Sequence, residues 1–241
     1  MIDLDIIFED DDIIAVNKPA NLLTIPDRYN KSLPSLNNIL KERYNEIFTL
    51  HRLDFGTSGI ILFAKNASTH SFLSEQINNR TITKFYSAVL QGNFPEETMQ
   101  VDIPLLPNPG RGGGVIPSIR GKKAISIFNI EQRFINYTLV KVQILTGRLH
   151  QIRAHAASIG FPLLVDELYG NKTDFFASEV KKRYNLKKGT TEKPIISRPT
   201  LHSRQITFIH PSNKEMTLEA EYPKDFKALL QILSKYACVK E

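Results

Sequence analysis

The apolar residues of this chain come in short, paired runs, and that pairing limits the folds open to it. Ile6-Ile7-Phe8 and Ile13-Ile14-Ala15-Val16 flank Glu9-Asp10-Asp11-Asp12, which reads as strand, acidic turn, strand. Asn17-Lys18-Pro19-Ala20 closes the second run, because proline cannot donate into a ladder. A second hairpin is predicted over 205–209 and 216–221, around Pro211-Ser212-Asn213. Residues 60–63, 84–90, 124–128 and 137–145 read as further strands. Helical spacing marks 35–47 through Leu36, Ile39, Leu40 and Ile47. It also marks a segment capped by Asn66 or Ser68 and running to about Asn79, with Phe72, Leu73 and Ile77 on one side. Two more helices are expected, one from near Arg148 to Ser158 and one after Pro223 with Phe226, Leu229, Leu230 and Leu233. Helices thus fall between strand pairs rather than after every strand. That order predicts an α+β fold with a mixed, mainly antiparallel sheet, not a doubly wound nucleotide fold. No repeat and no linker divides residues 1–241, so a single domain is expected, with an irregular basic insertion at about 172–198.

Composition narrows the class. At 41% hydrophobic and 23% charged the chain reads as globular, and apolar runs such as 60–64 are far too short to span a bilayer. The acidic start, Met1-Ile2-Asp3-Leu4-Asp5, carries neither a secretory signal nor a transit peptide. Cys238 is the only cysteine, which rules out an internal disulfide and suits the cytoplasm. The net charge is +6 although residues 3–12 are strongly acidic, so the remainder is more basic than the total suggests. Such a chain is a candidate polyanion binder, since neutralising phosphates releases counterions.

Chemistry-bearing residues concentrate in two segments. In His51-Arg52-Leu53-Asp54-Phe55-Gly56-Thr57-Ser58-Gly59 a carboxylate stands beside glycines that let backbone approach a ligand closely. Taken alone, Asp54 reads equally as a turn cap or as a partner of Arg52. Thr146-Gly147-Arg148-Leu149-His150-Gln151-Ile152-Arg153-Ala154-His155 brings arginines to a helix start, where they suit phosphate or carboxylate partners or simply face solvent. His150 and His155 lie about 140° apart around a helix. With no His-Glu-x-x-His pattern and one distant cysteine, nothing in the spacing supports a metal site. Gly110-Arg111-Gly112-Gly113-Gly114 lacks the Gly-Lys-Ser/Thr ending of a phosphate loop and reads as a mobile hairpin tip. There is no dinucleotide fingerprint, and Ser58 sits in no Gly-x-Ser-x-Gly elbow.

Together these segments resemble the RluA-type pseudouridine synthases. His51-Arg52-Leu53-Asp54 with Thr57-Ser58-Gly59 matches the family's best-known signature, and residues 146–155 match its Thr-Gly-Arg-x-His-Gln-Ile-Arg-x-His signature at every defined position. Lys84-Phe85-Tyr86-Ser87-Ala88, Asn17-Lys18-Pro19-Ala20, Leu201-His202 and His210-Pro211 resemble its remaining motifs in order. Asn21 replaces a usual glycine, Phe55-Gly56 a common charged pair, and Val165 a glycine before Asp166. The resemblance implies isomerisation of uridine to pseudouridine in ribosomal or transfer RNA, without cofactor, metal or obligate protein partner. It also implies a catalytic domain that starts directly at the first hairpin.

The resemblance further implies site roles. Asp54 would be the catalytic carboxylate at the sugar and base, where developing charge at an anomeric carbon meets an acid in glycosidases. Arg153 would pair with Asp54 and keep it ionised. Tyr86, a further catalytic residue, would hold the uracil face and could move a proton through its hydroxyl, or else would pack the core. Arg52 would fill the space left by the flipped nucleotide, clamp a phosphate, or form a structural ion pair. His51, Thr57, Arg148, His150 and Gln151 would contact substrate, and the basic loops at 111–123 and 181–188 would grip RNA without regard to sequence. Two alternatives remain: an RNA-binding module without chemistry, and a base-releasing glycosidase pairing Asp54 with Asp166.

Overall fold

Alternating apolar residues pair β1 (Asp5–Glu9) with β2 (Ile13–Lys18) in antiparallel register, Ile6 opposite Val16. Asp10 Oδ1 accepts from the amides of Asp12 and Ile13, so the acidic run is a side-chain-closed turn. The computed structural model describes residues 4–108, 110, 113–185 and 189–239. These divide into two units, Met1–Tyr86 with His202–Glu221 and Ser87–Leu201 with Tyr222–Glu241.

In the first unit, α1 (Leu36–Lys41) starts where the Ser35 side chain accepts from the Asn38 amide. It stops well short of Ile47, because β3 (Phe48–Thr49) pairs with β4 (Ser58–Ala64) and draws the chain out of the helix. Strand β4 is buried at every position and also pairs antiparallel with β2. Asn66 caps α2 (Ala67–Asn78) by accepting from the Thr69 amide. Strands β11 (Leu201–Ile209) and β12 (Glu215–Glu219) form the second expected hairpin. The strand order is β1-β2-β4-β11, with β4 and β11 parallel and the other pairs antiparallel. Ile13, Ala15, Ile60, Leu62, Leu73, Ile206 and Phe208 form the core beneath α2.

Strand β5 (Thr83–Gln91) begins in the first unit and ends in the second. The second unit orders its strands β5-β10-β9-β6, from β6 (Thr98–Asp102), β9 (Ile125–Phe134) and β10 (Tyr137–Ile144). Strand β6 was not expected from the sequence; it pairs antiparallel with β9 through Thr98 to Asp102. The paired strands β7 (Leu105–Asn108) and β8 (Gly114–Pro117), not expected as strands, flank the segment 110–114 that was expected as a mobile hairpin tip, of which Arg111 and Gly112 lie outside the described residues. Helix α3 (Gln151–Ser158), the short α4 (Glu167–Gly170) and α5 (Lys224–Tyr236) complete the unit. Phe226, Leu229 and Leu233 of α5 pack with Val89, Phe134, Leu164, Phe175 and Ile196.

Two of those core residues anchor the basic stretch at 172–198. The Phe175 amide donates to the Ile196 carbonyl at 3.0 Å, and the Ile195 amide donates to the Phe175 carbonyl at 2.8 Å. Lys187 and Lys188 lie outside the described residues. The fold class is therefore the expected one, α+β with a mixed, mostly antiparallel sheet arrangement. The chain passes between units inside β5, inside β11 and again between Glu221 and Tyr222. A strand carries no Gly/Pro-rich composition change, which is why no linker was legible.

Candidate active site

Residues 18–24 hold the loop that carries Asp54. Thr24 Oγ1, almost fully buried, donates to the Leu53 carbonyl at 2.9 Å and accepts from the Leu53 amide at 3.1 Å. One hydroxyl thus completes both backbone hydrogen bonds of the residue before Asp54. On the other side, the Asn21 amide donates to the Phe55 carbonyl at 2.8 Å. Asn21 adopts φ +59°, so the usual glycine is replaced by a residue that tolerates the left-handed region. Buried Lys18 donates to the carbonyls of Pro19 and Leu22, both at 2.8 Å, and reaches that of Phe55 at 3.4 Å. The Thr57 amide donates to the Asp54 carbonyl at 3.1 Å and tightens the turn. Asp54 is half-buried between these fixed neighbours, while Arg52 and Phe55 are exposed. Among the described residues Arg52 has no ion-pair partner, which leaves its guanidinium to solvent or ligand. Thr57 is buried.

The Thr-Ser-Gly run docks the loop onto the sheet. His202 pairs with Ser58 and Ser203 with Gly59 in parallel register. A Cβ on Gly59, at φ +115°, would stand 2.2 Å from the Ser203 carbonyl oxygen, so only glycine fits. Ser58 Oγ and His202 Nδ1 are 2.9 Å apart in the buried interior, with His202 Nε2 3.3 Å from the Ala220 carbonyl. With its proton on Nε2 the His202 ring would donate to the Ala220 carbonyl and accept from the Ser58 hydroxyl at Nδ1.

Tyr86 is buried on β5. Burial pushes its hydroxyl well above the ordinary tyrosine range, a hydrogen bond with Ser203 opposes this, and the negative charge of Asp54 adds to it. The phenol stays neutral at any physiological pH. His51 Nε2 accepts from the Leu62 amide at 3.3 Å. Burial, with the charge of Lys84 adding to it, pulls the imidazole well below its ordinary range, which keeps the ring neutral.

In the second unit, Arg153 donates from Nε to Asp166 Oδ2 at 2.7 Å and from Nη2 to Asp166 Oδ1 at 2.8 Å. Asp166 is fully buried and also accepts from the amides of Leu168 and Tyr169, both at 3.1 Å. The Arg153 guanidinium lies 5.1 Å from the centre of the Tyr169 ring. The Tyr169 hydroxyl in turn accepts from the Val115 amide at 2.8 Å and lies 3.2 Å from His150 Nδ1.

Helix α3 begins at Gln151 and not near Arg148, because His150 takes a left-handed conformation, φ +50°. Gln151 was expected to contact substrate, but its amide is spent inside the protein. Its Oε1 accepts from Thr146 Oγ1 and the Arg148 amide, at 2.7 and 3.0 Å, and its Nε2 donates to Ile125 O and Ser126 Oγ, both at 2.9 Å. Arg148 Nε donates to the Lys123 carbonyl at 2.9 Å. His155 is buried between Ser126 Oγ and the Ile103 carbonyl, and burial lowers its pKa.

Residues 12–158 match the family described as RNA pseudouridylate synthase. The chain belongs to that family. It is 33% identical over 215 residues to the dual-specificity RNA pseudouridine synthase RluA of Vibrio vulnificus, covering 87% of this chain and 79% of the relative. It is 34% identical over 243 residues to the ribosomal large subunit pseudouridine synthase D of Haemophilus ducreyi, covering 96% of this chain and 71% of the relative. A solved structure of human RNA pseudouridylate synthase domain containing 4 aligns with TM-score 0.71 at 22% identity, covering 95% of this chain and 92% of that one. This pseudouridylate synthase is thus an isomerase of RNA uridine. No helix among the described residues is long and apolar enough to cross a membrane.

Sequence reasoning overlooked three contributors: Thr24, whose hydroxyl lies 29 residues from its partner in sequence, Asp166 as the clamp on Arg153, and Tyr169 beneath the guanidinium. Asp166 did carry a signal, standing four residues before Gly170 with amides to cap.

Proposed function

We propose that this pseudouridylate synthase isomerises uridines in ribosomal or transfer RNA in the cytoplasm, as one catalytic domain, with Asp54 as its catalytic carboxylate. In the reaction the N1–C1′ bond breaks and a C5–C1′ bond forms. The proton on C5 is lost and N1 gains one, so the RNA keeps its mass. The observation that carries the assignment is the fixation of Asp54 from both sides, through Thr24 on Leu53 and Asn21 on Phe55. A carboxylate held this way meets the ribose of an unstacked uridine without reorganising. Arg153, oriented by Asp166, is the cation assigned to keep Asp54 ionised when RNA is bound. Arg52, exposed beside Asp54, takes the space vacated by the flipped nucleotide or a neighbouring phosphate. Arg148 and His150 are the remaining substrate contacts; Thr57, His51 and Gln151 serve the loops that carry them.

Tyr86 supplies the ring that retains the uracil after its bond to the sugar is cut. Tyr86→Leu should slow turnover about ten- to hundredfold, the worth of one base–aromatic stack, and Tyr86→Phe should be the faster of the two. Equal rates for the two variants would remove the ring from the account. Thr24→Val leaves the buried Leu53 amide and carbonyl without partners, a cost of about 1–3 kcal/mol. Its kcat is expected to fall about ten- to hundredfold through misplacement of Asp54, with RNA affinity held. A kcat equal to that of the wild type would show that the Thr24 bonds do not aim the carboxylate.

The glycosidase alternative lacks its second acid, because both Asp166 oxygens are taken by Arg153 and backbone amides. The direct test is incubation with unmodified ribosomal and transfer RNA transcripts. Pseudouridine without free uracil supports the isomerase; released uracil supports the glycosidase.

A further inference from the structure

Lys84 plays no part in the fixation of Asp54, yet its charge reaches the loop that carries Asp54, at His51. It lies two residues before Tyr86 on β5, so the two side chains leave the same face of the strand. Its charge acts on His51, three residues before Asp54, while Asp54 acts on Tyr86. The amine is half-buried, and among the described residues no carboxylate or carbonyl is bonded to it. A lysine withdrawn from water without an anion is a net cost to the fold, and it persists where a ligand supplies the missing charge. The titratable group its charge acts on is the neutral imidazole of His51, and the neutral phenol of Tyr86 leaves the same face of the strand, with Arg52 exposed on the loop that follows His51.

We propose that Lys84 binds the RNA phosphate next to the target uridine: an amine without an acidic partner, on the Tyr86 face of β5, beside the loop that carries Asp54. The inference rests on the uridine isomerase reading and adds a phosphodiester contact to it. A phosphate gripped there fixes the sugar whose C1′ must meet Asp54, and lysine serves such a contact as a point charge.

Burial has pushed the Lys84 ammonium down to about 8 from its ordinary 10.5. The free enzyme therefore carries this charge below about pH 8 and loses it above. RNA affinity should weaken as pH rises through that point, and Lys84→Arg, which stays charged, should abolish the weakening.

The test compares Lys84→Met and Lys84→Arg with the parent, using unmodified ribosomal and transfer RNA transcripts. Binding is read on an Asp54→Asn background and turnover on the wild-type background, with folding checked by circular dichroism. Lys84→Met is expected to raise Kd and KM about tenfold and to reduce the slope of log affinity against log salt by about one. Lys84→Arg is expected to restore both. An unchanged salt slope and KM in Lys84→Met overturns the proposal, as does a fall in kcat at saturating RNA with binding intact, which would make Lys84 a proton-transfer group. If Lys84→Met fails to fold, a pH dependence of binding that persists in Lys84→Arg overturns it instead. Binding is read without turnover, so a wild-type protein that binds RNA but forms no pseudouridine sinks the isomerase reading separately.

Discussion

Asp54→Asn is expected to bind RNA with wild-type affinity and to lose at least about 10⁴-fold in turnover, the equivalent of about 5 kcal/mol of transition-state stabilisation. The substitution exchanges one carboxylate oxygen for an amide nitrogen, so shape and loop geometry survive. The bonds from Thr24 and Asn21 hold the backbone of Leu53 and Phe55 and survive the substitution. Stability should therefore change by less than about 1 kcal/mol. Single-turnover kinetics at saturating RNA, with binding measured separately, make the check. Residual turnover within tenfold of the wild type would mean that another group bears the chemistry.

Asp166→Ala should destabilise the fold by about 3–5 kcal/mol, because it removes the buried carboxylate that accepts two charge-assisted bonds from the Arg153 guanidinium. It also deprives the Leu168 and Tyr169 amides of their acceptor. The midpoint of urea unfolding is the measurement. Replacing the whole pair, as Arg153→Met with Asp166→Leu, removes both charges together and should recover most of the stability. Turnover is not expected to return with it, because the arginine assigned to Asp54 is then absent. Recovery of both properties would reduce Arg153 to a structural ion-pair partner. A fully stable Asp166→Ala would show that the pair carries no weight in the fold.

Much of this could be read in the sequence, and the parts that could not share a physical cause. Strands such as β2 and β4, and helices such as α2 and α5, announce themselves through local spacing and caps. Asn66 capped α2 as expected, and Phe226, Leu229 and Leu233 face the core from α5. Helix α1 ended early because pairing of β3 with β4 outweighed the spacing of Ile47. Helix α3 began late because Gln151 folds its side chain back onto Thr146 and Arg148. The first is a tertiary choice that no window of residues contains, and the second is a local one made by side-chain bonds that leave no periodic trace. At the candidate site the motifs marked the residues but not their duties. Gln151 and His51 carry motif letters and have side chains bonded inside the protein, whereas Thr24, outside any motif, fixes the residue before Asp54. Long-range hydrogen bonds between a hydroxyl and a distant backbone leave no periodic trace.

The most direct measurement is single-nucleotide mapping of pseudouridine in ribosomal and transfer RNA from cells that lack this gene, complemented either with the wild-type chain or with Asp54→Asn. The account predicts that defined positions regain pseudouridine with the wild type and stay uridine with the variant produced at equal level. Modification restored equally by both chains would contradict it.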